Sequence, residues 1–186
     1  AILAKKYCEG FKDGGIFPVI KHFPGHGRAE QDSHIELPIV SEDLEDIEKT
    51  DLVPYLSLKN ENFLMVAHIL YKNIDINIAP YSNKILQSIL EESINFEGLI
   101  ISDDLSMLAL SGTIIERTKN CFKGGCDIVL YCAGNLDEMI KIYDYCDQIS
   151  KKKFEYFEKC SKKINVKNIN VEQYFNELNE SGAFNT

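Results

Sequence analysis

One short stretch of this chain, residues 21–34, combines residue types and spacings that suit catalysis. It contains the run Lys21-His22-Phe23-Pro24-Gly25-His26-Gly27 and then Asp32-Ser33-His34, so three of the four histidines lie near an aspartate. Proline lacks an amide donor and glycine raises the entropic cost of order, so this stretch does not form a regular helix. We predict an irregular loop, the kind of segment that carries catalytic side chains in α/β enzymes.

A second polar cluster, Ser102-Asp103-Asp104, follows directly after the apolar run Leu99-Ile100-Ile101. Such a run is typical of a buried parallel strand, and barrel enzymes place catalytic groups at the C-terminal ends of these strands. A helix cap or a turn residue is the alternative for Asp103. Two strand-end clusters in one chain make an active site the leading hypothesis.

Apolar runs predict four strands, near residues 16–22, 63–68, 99–102 and 127–131. Helical spacing and cap residues predict helices before and between them, around residues 3–13, from Ser41, over 82–93 and over 113–123. This alternation is the pattern of stacked βα units, so we predict an α/β fold of parallel strands with helices outside. We expect residues 1–150 to form this catalytic unit and residues 151–186 to form a helical extension that ends in a polar tail of about a dozen residues. In the extension, lysines 151–153 are expected on the solvent-facing side of an amphipathic helix.

The composition argues against several classes of function. The net charge is −9 and only two arginines are present, which disfavours binding to nucleic acid. No apolar run approaches the length of a membrane span, and no signal peptide is visible. The six cysteines include no Cys-x-x-Cys pair, so we expect reduced, mostly buried thiols in a cytoplasmic protein.

Four segments taken in order carry a resemblance to a known family. KHFPGHG, DSH, MVAHI at residues 65–69 and ISDDLSM at residues 101–107 resemble the family 3 glycoside hydrolases, and within them the bacterial β-N-acetylglucosaminidases of cell-wall recycling. The resemblance runs from residue 1 to about 135 and implies the C-terminal half of a TIM-type (β/α)8 barrel. A whole barrel needs about 250 residues, so we expect the N-terminal half to precede Ala1.

The resemblance implies a retaining exo-hydrolase that removes terminal β-linked N-acetylglucosamine from muropeptide fragments, without a cofactor. It makes Asp103 the nucleophile, which forms a covalent glycosyl-enzyme. The adjacent Asp104 is then structural. It also makes His34 the general acid/base, with Asp32 orienting and tuning the imidazole. Asp32 and His34 are two residues apart, so in an extended chain their side chains project to the same side. A hydrogen-bonded pair of a carboxylate and an imidazole requires this arrangement. A surface loop with an Asx turn at Asp32 is the alternative.

The remaining polar residues have weaker assignments. By resemblance Lys21 and His22 hydrogen-bond the hydroxyls of the sugar, for which their donors and acceptor are suited. For Lys21 the alternative is an ion pair with a strand-end carboxylate. His68 is a candidate third contact, and His26 is expected to order the loop.

Two rival functions stand beside the hydrolase. One is a metal-dependent hydrolase, because His22, His26, Asp32 and His34 are zinc-compatible ligands. The His-x3-His spacing needs a helix there, however, and Pro24 and Gly25 prevent one. The other is a truncated barrel that keeps the motifs but lacks activity.

Overall fold

The computed structural model describes residues 1–146, 148–162 and 170–180. Four strands form one sheet in the order β1-β3-β5-β6, and every neighbouring pair is parallel. They are β1 (Val19–Phe23), β3 (Phe63–Val66), β5 (Leu99–Asp104) and β6 (Ile128–Leu130). Two short strands, β2 (Ile39–Val40) and β4 (Leu70–Tyr71), pair with each other in parallel as a second sheet.

Helical segments separate successive strands of the four-stranded sheet. The α-helices are α1 (Ile2–Asp13), α2 (Leu44–Lys49), α3 (Val53–Ser57), α4 (Ile114–Gly124), α5 (Leu136–Tyr145), α6 (Lys151–Ser161) and α7 (Val171–Glu180). A 3-10 helix (Ala79–Tyr81) and a π-helix (Lys84–Ser93) lie between β4 and β5. The predicted α/β fold of about four βα units, half of a TIM-type barrel, is confirmed.

Local capping chemistry explains where two of these helices begin. Thr113 accepts a hydrogen bond from the amide of Glu116, whose carboxylate accepts from the Thr113 amide in return, so a capping box starts α4. Ser82 Oγ accepts from the Ile85 amide at the start of the π-helix. Both starts agree with the sequence prediction. The helix expected from Ser41 begins three residues later, at Leu44.

The sequence placed the start of β1 wrongly and missed the second sheet. β1 begins at Val19 and not at Ile16, because Pro18 has no amide with which to join the ladder. β2 and β4 contain two residues each, too few to give an alternating or continuous apolar pattern.

The core lies between the parallel sheet and its helices. Leu64, Val66 and Ile100 of the strands are at most 1% exposed and pack in one cluster with Leu86 and Leu90 of the π-helix. Of the six cysteines, Cys8, Cys121 and Cys126 are buried, whereas Cys132 and Cys146 are exposed and Cys160 is half-buried, so the expectation of mostly buried thiols holds for only half of them. No helix among the described residues is long and apolar enough to span a membrane.

The two ends of the sheet differ from its centre. No described strand pairs with the outer edge of β1 or of β6. Apolar side chains are exposed on α1, the helix that precedes β1 in the chain, and on α5, the helix that follows β6. On α1 they are Ile2, Leu3, Tyr7 and Phe11, and on α5 they are Leu136, Met139, Ile140, Tyr143 and Tyr145.

The C-terminal extension corrects two predictions. Lys153 is not on a solvent-facing side. It is largely buried, donates to the Gly98 carbonyl at 2.7 Å and forms ion pairs with Asp127 and Glu91, so α6 covers the N-terminal ends of β5 and β6. The predicted tail is helical as far as Glu180, within α7, and its last residues, 181–186, lie outside the described part of the chain.

Candidate active site

The polar residues singled out in the sequence meet at one edge of the sheet. Lys21 and His22 lie near the C-terminal end of β1, His68 follows the end of β3, and Asp103 and Asp104 end β5. Since β1, β3 and β5 are parallel neighbours, their carboxyl ends share one edge. His22 Nε2 lies 3.6 Å from Asp103 Oδ2, while Lys21 is exposed beside them.

Asp103 is oriented by its own turn and still has one oxygen facing the site. Oδ1 accepts a hydrogen bond from the Asp104 amide at 2.8 Å, whereas Oδ2 faces His22. Ser102 supports the same turn, because its hydroxyl donates to the Asp103 carbonyl and accepts from the Leu130 amide of β6. A fixed, partly exposed carboxylate of this kind is suited to nucleophilic attack.

Asp104 has the opposite environment, since both of its oxygens are occupied. Oδ1 accepts from the amides of Ser106 and Cys132 at 3.0 and 2.9 Å, and Oδ2 accepts from the Ser106 hydroxyl. Burial opposes the charged form, but these hydrogen bonds outweigh it and lower the pKa of Asp104. The carboxylate thus ties the end of β5 to the end of β6, which supports a structural role.

His22 is kept neutral by its position. Burial lowers its pKa below the usual histidine value, although the Asp103 carboxylate acts in the opposite direction. A neutral imidazole offers one donor and one acceptor nitrogen. Both could serve a sugar hydroxyl next to Asp103.

His68 is placed differently from the expectation of a substrate contact. Its side chain has no solvent exposure, and Nε2 hydrogen-bonds the Asp104 carbonyl at 3.0 Å. Nδ1 has no hydrogen-bond partner among the described residues. Burial is also the main cause that lowers the pKa of His68. In this arrangement the ring supports the turn that carries the two aspartates.

Asp32 and His34 form the predicted pair, but by a different local geometry. His34 Nδ1 lies 2.9 Å from Asp32 Oδ1, and the His34 amide donates to the same oxygen. The backbone is a turn and not extended, because the amides of Ile35 and Glu36 return to the Asp32 carbonyl. The Asx turn and the imidazole contact therefore coexist. The two hydrogen bonds from His34 lower the pKa of Asp32, so it stays ionised.

The pair is exposed and can act on an external group. The side chains of Asp32 and His34 are 58% and 76% exposed. An Nδ1 proton directed at the carboxylate leaves Nε2 as the nitrogen that exchanges a proton with a bound substrate. This arrangement can perform general acid/base catalysis.

A polar network that the sequence did not reveal fixes the loop before this pair. Arg28 contacts Asp51 at 2.7 Å, Thr50 at 2.8 Å and Glu42 at 3.2 Å. The buried Tyr71 donates to the Gly25 carbonyl at 2.6 Å. The only available signal was that Arg28 is one of two arginines in an acidic chain.

The histidines do not converge as metal ligands would. Within the described ranges, no group of three His, Cys, Asp or Glu side chains could hold a metal ion. His26 contacts the Ser33 hydroxyl, His34 contacts Asp32, and the rings of His22 and His26 meet edge to face at 5.7 Å. Each of the three therefore has its own polar partner, which is Asp103 for His22, Ser33 for His26 and Asp32 for His34.

Comparison with known proteins places this geometry in context. Residues 1–162 match the family model described as Glycosyl hydrolase family 3 N terminal domain. The Beta-hexosaminidase of Aromatoleum aromaticum is 40% identical in an alignment of 136 residues that covers 71% of this chain and 38% of that protein. The Beta-hexosaminidase of Pseudomonas aeruginosa strain LESB58 is 40% identical in an alignment of 135 residues that covers 71% of this chain and 41% of that protein. The chain thus spans about two fifths of the length of these curated relatives.

A solved structure of a protein from another organism has a similar fold. NagZ from Neisseria gonorrhoeae, in complex with N-trifluoroacetyl-D-glucosamine, aligns with a TM-score of 0.74 at 34% identity, over 84% of this chain and 46% of that one.

Proposed function

Because this chain belongs to glycosyl hydrolase family 3, as its motifs predicted, we propose that the complete protein is a retaining exo-β-N-acetylglucosaminidase. The observation that carries this proposal is the Asp103 carboxylate, fixed at a strand end with one oxygen facing His22. The substrate class is supported by the names of the relatives, which are beta-hexosaminidases, and by the glucosamine derivative bound to the gonococcal protein.

The reaction proceeds in two steps that return the original configuration. Asp103 attacks the anomeric carbon and forms an ester bond to the sugar, while the bond to the leaving oxygen breaks and His34 supplies that oxygen with a proton. His34 then takes a proton from water, and the resulting hydroxide displaces Asp103 from the anomeric carbon. Asp32 stabilises the imidazolium form of His34 in the first step. The two displacements together give retention.

Lys21 and His22 orient the sugar for this attack. Lys21 is exposed beside the site and offers three donors, while the neutral His22 offers a donor and an acceptor. His22 lies against Asp103, so a hydroxyl that it binds is next to the reacting carbon. We assign His68 to support of the turn and not to the sugar, because the ring is fully buried.

Activity needs a complete barrel. By this we mean this chain together with four further strands, which close the sheet between the outer edges of β1 and β6. The open edges and the exposed apolar faces of α1 and α5 support this requirement. The biological substrate is a muropeptide fragment, cleaved in the cytoplasm during cell-wall recycling. The buried thiols of Cys8, Cys121 and Cys126 agree with a reducing compartment.

The proposed function predicts both the substrate and the stereochemical outcome. The complete barrel is expected to hydrolyse an aryl β-N-acetylglucosaminide and to leave the corresponding β-glucoside and α-anomer intact. Proton NMR of the first product formed should show the β-anomer, since two displacements occur at one carbon. An α-anomer as first product would contradict the double displacement. No hydrolysis of the aryl substrate by the complete barrel would contradict the proposed function itself.

The acid role of His34 predicts a dependence on the leaving group. His34→Ala should lower kcat/KM, which reports the first displacement, for an alkyl β-N-acetylglucosaminide by roughly 100- to 10,000-fold, the usual range for general acid catalysis. The loss should be much smaller for an aryl substrate with an acidic phenol, which leaves without a proton. Asp32→Ala should give the same pattern more mildly, because it acts through the imidazole. Equal losses on both substrates would mean that His34 only orders the loop.

A further inference from the structure

Ser33 differs from every other residue of the loop that carries the pair. Between Gly25 and Leu37 it is the only buried residue, at 5% exposure, although Asp32 and His34 on either side are exposed. A small polar side chain enclosed between two exposed catalytic candidates needs a physical reason. Its contacts supply one.

Ser33 joins three segments of the site. Its hydroxyl lies 3.3 Å from His26 Nε2, within the KHFPGHG run. Its carbonyl accepts a hydrogen bond from the Ala109 amide at 3.3 Å, in the loop that follows the two aspartates. That loop is fixed in turn by Arg117, which donates to the carbonyls of Leu105 and Met107.

His26, which contacts Ser33, is also linked through His22 to the candidate nucleophile Asp103. The His26 ring packs edge to face on His22 at 5.7 Å, and His22 lies 3.6 Å from Asp103. The side chains of Asp32 and His34, in contrast, hydrogen-bond only within that pair in the described part of the chain. Ser33 is therefore the point at which the exposed pair is connected to the strand ends.

We propose that Ser33 and His26 are positioning residues that set where the His34 imidazole stands relative to Asp103. This inference rests on the proposed function. A general acid must come within hydrogen-bond reach of the leaving oxygen, and a displacement of about 1 Å can cost roughly 100-fold in rate. Release of Ser33 moves the pair while Asp103, Lys21 and His22 stay in place.

The chain offers matched variants for a test in the complete barrel. His26→Gln places an amide nitrogen where Nε2 was and keeps the contact with Ser33, whereas His26→Asn is too short to reach it. Ser33→Ala removes the hydroxyl with little change in volume. Kinetics of all three would be measured on the alkyl and the acidic-phenol β-N-acetylglucosaminides, together with the double variant Ser33→Ala/His26→Asn.

Ser33→Ala and His26→Asn are expected to lower kcat/KM on the alkyl substrate by about 10- to 100-fold. On the aryl substrate kcat/KM should change little, and His26→Gln should stay near the wild type on both substrates. The double variant should lose no more activity than the more impaired of the two single variants, because both single changes remove the same contact between Ser33 and His26.

Equal losses on both substrates would show a merely structural role and overturn the proposal. So would an unchanged Ser33→Ala, or a loss in His26→Gln as large as that in His26→Asn. If the wild-type complete barrel hydrolyses neither substrate, the proposed function itself fails, and the positioning role fails with it.

Discussion

Asp103→Asn in the complete barrel is expected to abolish turnover of a chromogenic β-N-acetylglucosaminide, with a loss of at least roughly a thousandfold in kcat. The amide cannot form the ester intermediate, so the whole two-step route is withdrawn. The orientation of the side chain should survive, because an asparagine oxygen can still accept from the Asp104 amide. The loss would therefore report chemistry and not misfolding.

Asp104→Asn is the matched control for this change. Its oxygen can still accept from the amides of Ser106 and Cys132, and only the contact with the Ser106 hydroxyl is weakened. We expect a far smaller loss of kcat. The reverse ranking of the two variants would exchange the roles of Asp103 and Asp104 and would contradict the proposed mechanism.

The second large effect concerns the chain by itself. Expressed alone, these 186 residues are expected to be inactive and to aggregate or self-associate. Each unpaired edge exposes backbone donors and acceptors, and the inner layer of side chains lacks the partners that a closed barrel would supply. Sedimentation velocity and the chromogenic assay on the same sample would measure both properties.

A charged residue on the open edge of β1 should distinguish self-association through strand pairing from non-specific aggregation of exposed apolar surface. Val19→Lys adds a lysine on the exposed edge strand β1 and should reduce self-association. Ile76→Lys adds the same charge at a highly exposed loop position outside the strands and should change little. A soluble monomer that hydrolyses N-acetylglucosaminides at a rate typical of enzymes would contradict the need for a complete barrel.

The sequence was sufficient for the architecture because the strands are marked by local patterns. β3, β5 and β6 are short apolar runs of the kind that parallel sheets bury. Parallel pairing then brings their carboxyl ends to one edge, so the grouping of His22, His68 and Asp103 followed from the order of the elements. The capping box at Thr113 was equally local.

What the sequence could not predict depends on contacts between distant residues. The amphipathic pattern of α6 put Lys153 in solvent, because nothing local indicates that Asp127 and Glu91 meet it. His68 is likewise fully buried and hydrogen-bonds the Asp104 carbonyl, a partner distant in sequence that nothing local indicates. The spacing of Asp32 and His34 predicted their contact but not the turn that produces it, since a two-residue separation fits more than one backbone conformation.

Covalent trapping of the glycosyl-enzyme tests the role of Asp103 most directly. The complete barrel would be incubated with a fluorinated N-acetylglucosaminide that forms the ester quickly and hydrolyses slowly, then digested and analysed by mass spectrometry. We expect one sugar on the peptide that contains Asp103, localised by fragmentation to that residue and absent from Asp103→Asn. An adduct on Asp104 or on any other side chain, or an active enzyme that never forms an adduct, would contradict the proposed mechanism.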